Sequence, residues 1–162
     1  MKRYYLAYGS NLNQGQMEYR CPGAVPIGIA LLKGYRLLFK GSKTGAFLTI
    51  EPSKKDSVPV GVWLVNKEHE RKLDIYEGYP DFYYKKDVEV TMVTIDKCEV
   101  KNIKAFLYIM DENRRIGIPS NGYVQCCVNG YRDFGFDESF LIKALMYSQR
   151  KSDRSEYNGT GK

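Results

Sequence analysis

Two short stretches of the chain carry residues whose types and spacing could do chemistry. The first is Tyr8-Gly9-Ser10-Asn11-Leu12. It lies where a β-prone segment gives way to a helix-prone one, so backbone N–H groups there can converge on an anion. Gly9 permits close backbone approach, while Ser10 and Asn11 can tie the turn down through side-chain hydrogen bonds. Read locally, the same run also suits an ordinary turn, and it is neither a P-loop nor a dinucleotide fingerprint. The second is Glu77, just before Gly78 at the predicted end of a helix. A carboxylate there meets the negative end of the helix dipole, which disfavours its charged form. Partial burial among Tyr76, Tyr79, Phe82 and Tyr83 would raise its pKa further. A carboxyl group tuned in this way suits a general base working near neutrality. A solvated glutamate at a helix end is the plain alternative.

Other residue types narrow the chemistry. The single histidine, His69, excludes double-histidine zinc sites and mechanisms in which two imidazoles cooperate; within KEHERK it reads as an ordinary helix residue. Cys21, Cys98, Cys126 and Cys127 show no CxxC spacing and read as buried thiols of a reducing compartment. Fourteen tyrosines, several beside lysine or arginine as in KGYR and YYKK, could form a platform for single-stranded nucleic acid. Half-buried sheet tyrosines with outward hydroxyls are the favoured reading. KGYRLLF opens like an RNA-binding motif, but Arg36 stands where a small residue is required.

The elements that must position these residues can be read from periodicity. Lys2 to Tyr8 is β-prone, and Asn13 can cap a helix running to about Arg20. Val25–Leu32 and Tyr35–Lys40 read as strands broken at Lys33-Gly34, Gly41–Gly45 as a loop, and Ala46–Ile50 as a further strand. VPVGVWLV (Val58–Val65) reads as a strand buried on both faces. From Asn66 to Tyr76 the period becomes helical, with His69, Leu73 and Tyr76 on one face, Asn66 as N-cap and Gly78 as C-terminal stop. Alternation resumes at Tyr83, and a turn near Asp96-Lys97 leads to a partner strand ending in AFLYI. Asp137 can cap a last helix with an apolar stripe of Phe140, Leu141, Ala144 and Leu145. Strands in hairpin-like order predict an α+β fold with a small mixed, barrel-like β-sheet flanked by a few helices.

With 162 residues, one domain is expected, spanning 1–148, followed by a polar, flexible tail over 149–162. A net charge of +6 favours solubility or anionic ligands without demanding nucleic acid. No run approaches the roughly 20 apolar residues of a membrane span. The opening apolar run meets Gly9 too soon for a signal peptide, so a cytoplasmic protein without membrane contact is expected.

In combination, these segments resemble the gamma-glutamylcyclotransferase, or AIG2-like, family. YLAYGSNL is similar to that family's first strand and substrate loop, PVGVWLV to its central strand, and LDIYEGYPDFYYKKDVEV to the segment carrying its acid/base glutamate. AFLYIM and PSNGYVQCCVNG are similar to a later strand and the stretch that closes the site. The resemblance runs in order from about Tyr4 to about Leu145. It implies a small mixed barrel with no metal or organic cofactor, and a transferase cyclising a gamma-glutamyl amide to 5-oxoproline. By the same resemblance Glu77 is the acid/base and Tyr8, Gly9, Ser10, Asn11 and Leu12 bind substrate, with Tyr84, Tyr108 and Tyr123 in support. The expected partner is then a small gamma-glutamyl compound, not nucleic acid. A non-catalytic module that binds an amino-acid-like ligand is the other reading.

Overall fold

The computed structural model of the protein describes residues 1–42 and 45–159. In chain order the elements are β1 (Arg3–Ala7), a single 3-10 turn (Ser10–Leu12), α1 (Gln14–Arg20), β2 (Val25–Ser42) and β3 (Gly45–Val65). There follow α2 (Lys67–Glu77), β4 (Tyr83–Thr94), β5 (Val100–Met110), β6 (Arg115–Ile116), α3 (Asn121–Phe134) and α4 (Ser139–Gly159). The architecture is α+β. Strands β1, β3, β2, β4 and β5 pair in that order around a ring. It closes where β1 lies parallel to β5, Tyr4 opposite Ala105 and Tyr5 opposite Phe106. All the other pairings are antiparallel, and β6 adds a short rung to the far end of β2. Closure leaves few open edges, which removes the main hazard of a sheet this long.

The apolar run in β3 is buried as its composition requires: Val58, Val60 and Val62 are fully buried and Trp63 and Val65 nearly so. Its one small residue, Gly61, lies where Leu12 and Phe134 come closest. A Cβ there would meet both at 2.7 Å. The last turn of β3 hands over to α2 through Asn66, whose side chain accepts from His69 N–H at 2.8 Å while the Asn66 N–H donates to His69 Nδ1 at 3.2 Å. This capping box gives His69 a structural part, and its Nε2 also contacts Pro22 O at 2.8 Å. At the other end, Gly78 adopts a left-handed conformation (φ 65°) and stops α2 directly after Glu77.

Five expectations need correction. The break at Lys33-Gly34 is a bulge inside one long strand: Gly34, at φ +85°, absorbs a shift in register between Lys33 and Tyr35. The segments Ala46–Ile50 and Val58–Val65 likewise belong to one strand, β3, which pairs with β2 from Gly45 to Pro52 and again from Ser57 to Leu64, with Ser53–Asp56 bulging between the two stretches. Lys43 and Thr44 of the expected loop lie outside the described residues. Helix α3 was not anticipated at all. Helix α4 continues to Gly159 where a frayed tail was expected beyond Gln149. Gln149, Arg150 and Lys151 are good helix formers that need no apolar stripe; residues 160–162 lie outside the described residues. Of the cysteines, all free, Cys21 and Cys127 are buried as expected, whereas Cys98 is exposed and Cys126 half-buried.

Candidate active site

At one end of the barrel, the β1–α1 loop, the end of α2, the start of β4 and the first turn of α3 enclose a cavity of about 440 Å³. Of the residues singled out in the sequence, Tyr8, Gly9, Ser10, Asn11, Glu77, Tyr108 and Tyr123 lie on its wall. Two do not. Leu12 is fully buried beneath the loop, packed near Gly61 and Gly130, so it holds the loop up from below. Tyr84 points away, its hydroxyl donating to Glu112. The reason is the pleat: Tyr83 and Lys85 turn toward α2 and the cavity, so Tyr84 and Lys86 must turn to the opposite face.

The wall also holds Tyr5 and Phe47, which the sequence reading passed over, and Tyr76, Phe82 and Tyr83 of the four aromatic residues expected around Glu77; Tyr79 is not on it. Several tyrosines are committed to the scaffold. Tyr83 OH donates to Leu48 O at 2.8 Å, Tyr8 OH to Tyr108 O, and Tyr108 OH to Asp74 Oδ1 at 2.6 Å. Asp74 in turn pairs with Lys85 at 2.9 Å, tying α2 to β4. Tyr123 OH accepts the Leu48 N–H at 3.0 Å. Tyr5 OH accepts from Asn11 at 2.9 Å and donates to no described residue, which leaves its proton for a ligand. Alternation along β1 is the signal that pairs Tyr5 with the loop; no local signal singles it out among fourteen tyrosines.

Glu77 is the one acidic side chain on this wall. Its Oε1 accepts from Asn11 Nδ2 at 3.3 Å. Loss of solvent pushes its pKa from the ordinary carboxylate range up to about 7, against the opposing pull of the Arg20 guanidinium. The position at the C-terminus of α2 acts in the same direction as burial. At neutral pH such a group holds its proton about half the time, so it can both accept and return one. The tyrosine hydroxyls Tyr5, Tyr8, Tyr83 and Tyr123 are held well above their usual range, chiefly by burial, and stay protonated. Among the described residues no three His, Cys, Asp or Glu side chains group as metal ligands, and no helix is long and apolar enough to cross a membrane.

A barrel with a buried, proton-exchanging carboxyl group opposite a Gly-Ser-Asn turn defines a class of acid/base site. Comparison with known proteins makes it specific. The model of the family described as "Gamma-glutamyl cyclotransferase, AIG2-like" matches residues 5–125, and the chain belongs to this family of enzymes. It is similar to gamma-glutamylcyclotransferase of Mus musculus, 29% identical over 161 residues and covering 94% of this chain and 83% of the relative. It is also similar to the Homo sapiens gamma-glutamylcyclotransferase, 33% identical over 146 residues, covering 86% and 75%. A solved structure titled gamma-glutamyl cyclotransferase superposes with a TM-score of 0.71 at 27% identity, covering 93% of this chain and 86% of the other.

Proposed function

We propose that this protein cyclises a gamma-glutamyl amide, releasing 5-oxoproline and a free amine, with Glu77 as general acid/base. The observation that carries the reading is Glu77 itself: a carboxyl group with a pKa raised to about 7, on the wall of a cavity large enough for a small ligand. The substrate brings its own nucleophile. Its α-amino nitrogen attacks the γ-carbonyl carbon, a C–N bond forms to close a five-membered ring, and the bond to the departing amine breaks. Glu77 as carboxylate takes one proton from the α-ammonium group to free its lone pair and, as carboxylic acid, delivers it to the leaving nitrogen. The second proton, shed by the ring nitrogen on closure, follows the same route, so the two protons lost by the α-nitrogen are the two gained by the amine, which departs as ammonium. Folding the extended glutamyl chain into its ring-closing shape between Tyr5, Tyr8 and Tyr83 supplies the entropic part of the acceleration.

The carbonyl oxygen gains negative charge as the ring closes, and donors fixed in advance stabilise it best. The N–H groups of Gly9, Ser10 and Asn11 precede the first bond of the 3-10 turn, Leu12 N–H to Gly9 O at 3.0 Å, so the turn itself uses none of them. They and Tyr5 OH are the donors available for the oxyanion or the α-carboxylate. The leaving group faces the aromatic side of the cavity, where Phe47 packs edge-on against both Phe82 and Tyr123. A small soluble substrate and a cytoplasmic setting fit this chemistry. The test is 5-oxoproline release from a gamma-glutamyl dipeptide, a gamma-glutamylamine and gamma-glutamyl-ε-lysine, each with wild type and Glu77→Gln. Release by wild type alone is the expected result. Silence across the panel with ligand still bound, read by thermal shift, would replace the enzyme with a binding module.

A further inference from the structure

Arg20 ends α1, ten residues beyond Ser10, and reaches back over the β1–α1 loop. Its Nη1 donates to Ser10 Oγ at 3.3 Å and to Asn11 Oδ1, its Nη2 donates to Tyr76 OH, and its guanidinium carbon stacks 3.4 Å from the centre of the Tyr76 ring. One side chain therefore joins the β1–α1 loop to the last turn of α2. A guanidinium has five donors and no acceptor, so whichever end of the Asn11 carboxamide faces Arg20 must be its oxygen. The nitrogen end is thereby forced toward Glu77 Oε1 and Tyr5 OH. Asn11 is buried, and without Arg20 its amide could turn over and present an oxygen to the Glu77 carboxylate.

We propose that Arg20 is the positioning residue of this site: it fixes the sense of the Asn11 carboxamide, keeps an N–H donor on Glu77, and clamps the substrate loop to the end of α2. It touches no reacting atom; it acts through Asn11 and through its charge. The groups that face Glu77 are Tyr5 of β1, Tyr8 just beyond it, Tyr76 of α2, Tyr83 of β4, Tyr108 of β5 and Tyr123 of α3. All are neutral phenols near pH 7, and Arg20 supplies the opposing positive charge. Removing it takes away both the cation and the oriented donor, so the proton affinity of Glu77 must rise. The placement of Arg20 is independent of the reaction, whereas its kinetic consequence rests on the proposed cyclisation.

The experiment therefore has one readout without substrate and one with it. The first follows the Glu77 side-chain carboxyl by ¹³C NMR through a pH titration of wild type, Arg20→Ala and Arg20→Lys, each checked for an unchanged fold by circular dichroism. The second measures kcat/KM for 5-oxoproline release against pH. In Arg20→Ala the Glu77 midpoint should rise by about one unit, which alone lowers activity at pH 7 about fivefold and lets much of it return above pH 8.5. Arg20→Lys keeps the charge but cannot reach Ser10, Asn11 and Tyr76 together. It should shift the midpoint less yet still lose activity at high pH. An unmoved Glu77 midpoint in both variants overturns the proposal, as does an equal loss of activity at every pH in Arg20→Ala. If wild type itself releases no 5-oxoproline, the reaction assignment fails while the NMR titration still decides the part played by Arg20.

Discussion

A carboxyl group with its pKa raised to about 7 contributes to stability and to catalysis with opposite signs. In the unfolded chain Glu77 returns to the ordinary range near 4.3, so between that value and about 7 the folded protein holds the proton more tightly. Stability from this group is therefore fully present below the unfolded pKa and falls as pH rises through the folded one. Glu77→Gln removes the charge while keeping the shape. The variant should be more stable than wild type at pH 8, by about 3–4 kcal/mol, and nearly equal at pH 4.5; urea denaturation at the two pH values checks it. The same substitution should lower kcat for 5-oxoproline release by 10²–10⁴-fold, the usual contribution of a general acid/base, at about unchanged KM. For wild type, kcat/KM should fall on the acid side with a midpoint about 7, because the carboxylate is the form that starts the reaction. A stabilised, inactive Glu77→Gln beside an acid limb elsewhere would mean that another group titrates.

Elements set these residues in place, and the tightest seat belongs to α3. At Gly130 a Cβ would lie 2.6 Å from the Asn13 backbone nitrogen and 2.8 Å from the Leu12 carbonyl carbon, so the helix backbone rests almost directly on the β1–α1 loop. Gly130→Ala should cost about 1–3 kcal/mol, the range for overpacking, and should lower kcat/KM by displacing the loop, read from a thermal melt and the 5-oxoproline assay together. Asn66→Ala should cost about 1 kcal/mol by removing the α2 cap, with the helix end at Glu77 kept by Gly78. Local signals explain why α2 was legible in the sequence: its N-cap, period and glycine stop all lie within a dozen residues. The β1 loop and the apolar β3 run were readable for the same reason. Helix α3 was not, since Gly122, Asn129 and Gly130 lower its propensity. Its signals, the Ser120 cap, Tyr123, Cys127, Tyr131 and Phe134 at helical spacing, and Gly135 at its end, were available to a search by period. The choice between Tyr83 and Tyr84 was beyond any local reading, because only packing of α2 against β4 decides which face of the strand is inside. Arg20 was hidden for a similar reason: its partners lie on two other elements.

On the scale of the whole molecule, the cavity and α4 occupy different parts of the barrel. The cavity is built by the β1–α1 loop, α2, β4, β5 and α3, whereas α4 packs on β2 through Leu141, Ala144 and Ser148. Every one of these buried α4 residues precedes residue 149, and among the described side chains the last stacking contact with the barrel is Arg36 over the Tyr147 ring at 4.9 Å. Beyond it the described side chains Arg150, Lys151, Asp153 and Arg154 are solvent-facing or nearly so. Among the described residues, full burial on α4 thus ends at Ser148 although the helix runs on. A chain ending at Gln149 should keep the barrel and its cavity, with 5-oxoproline release within about twofold of the full chain, the scale of a surface change of 0.5 kcal/mol. Ending the chain at Ile142 instead should lower the melting temperature sharply, because Ala144 and Ser148 leave the face of β2 uncovered. If the longer truncation product stays folded yet loses its activity, the outer half of α4 is coupled to the site through β2, and the separation of scaffold from site along this chain is wrong.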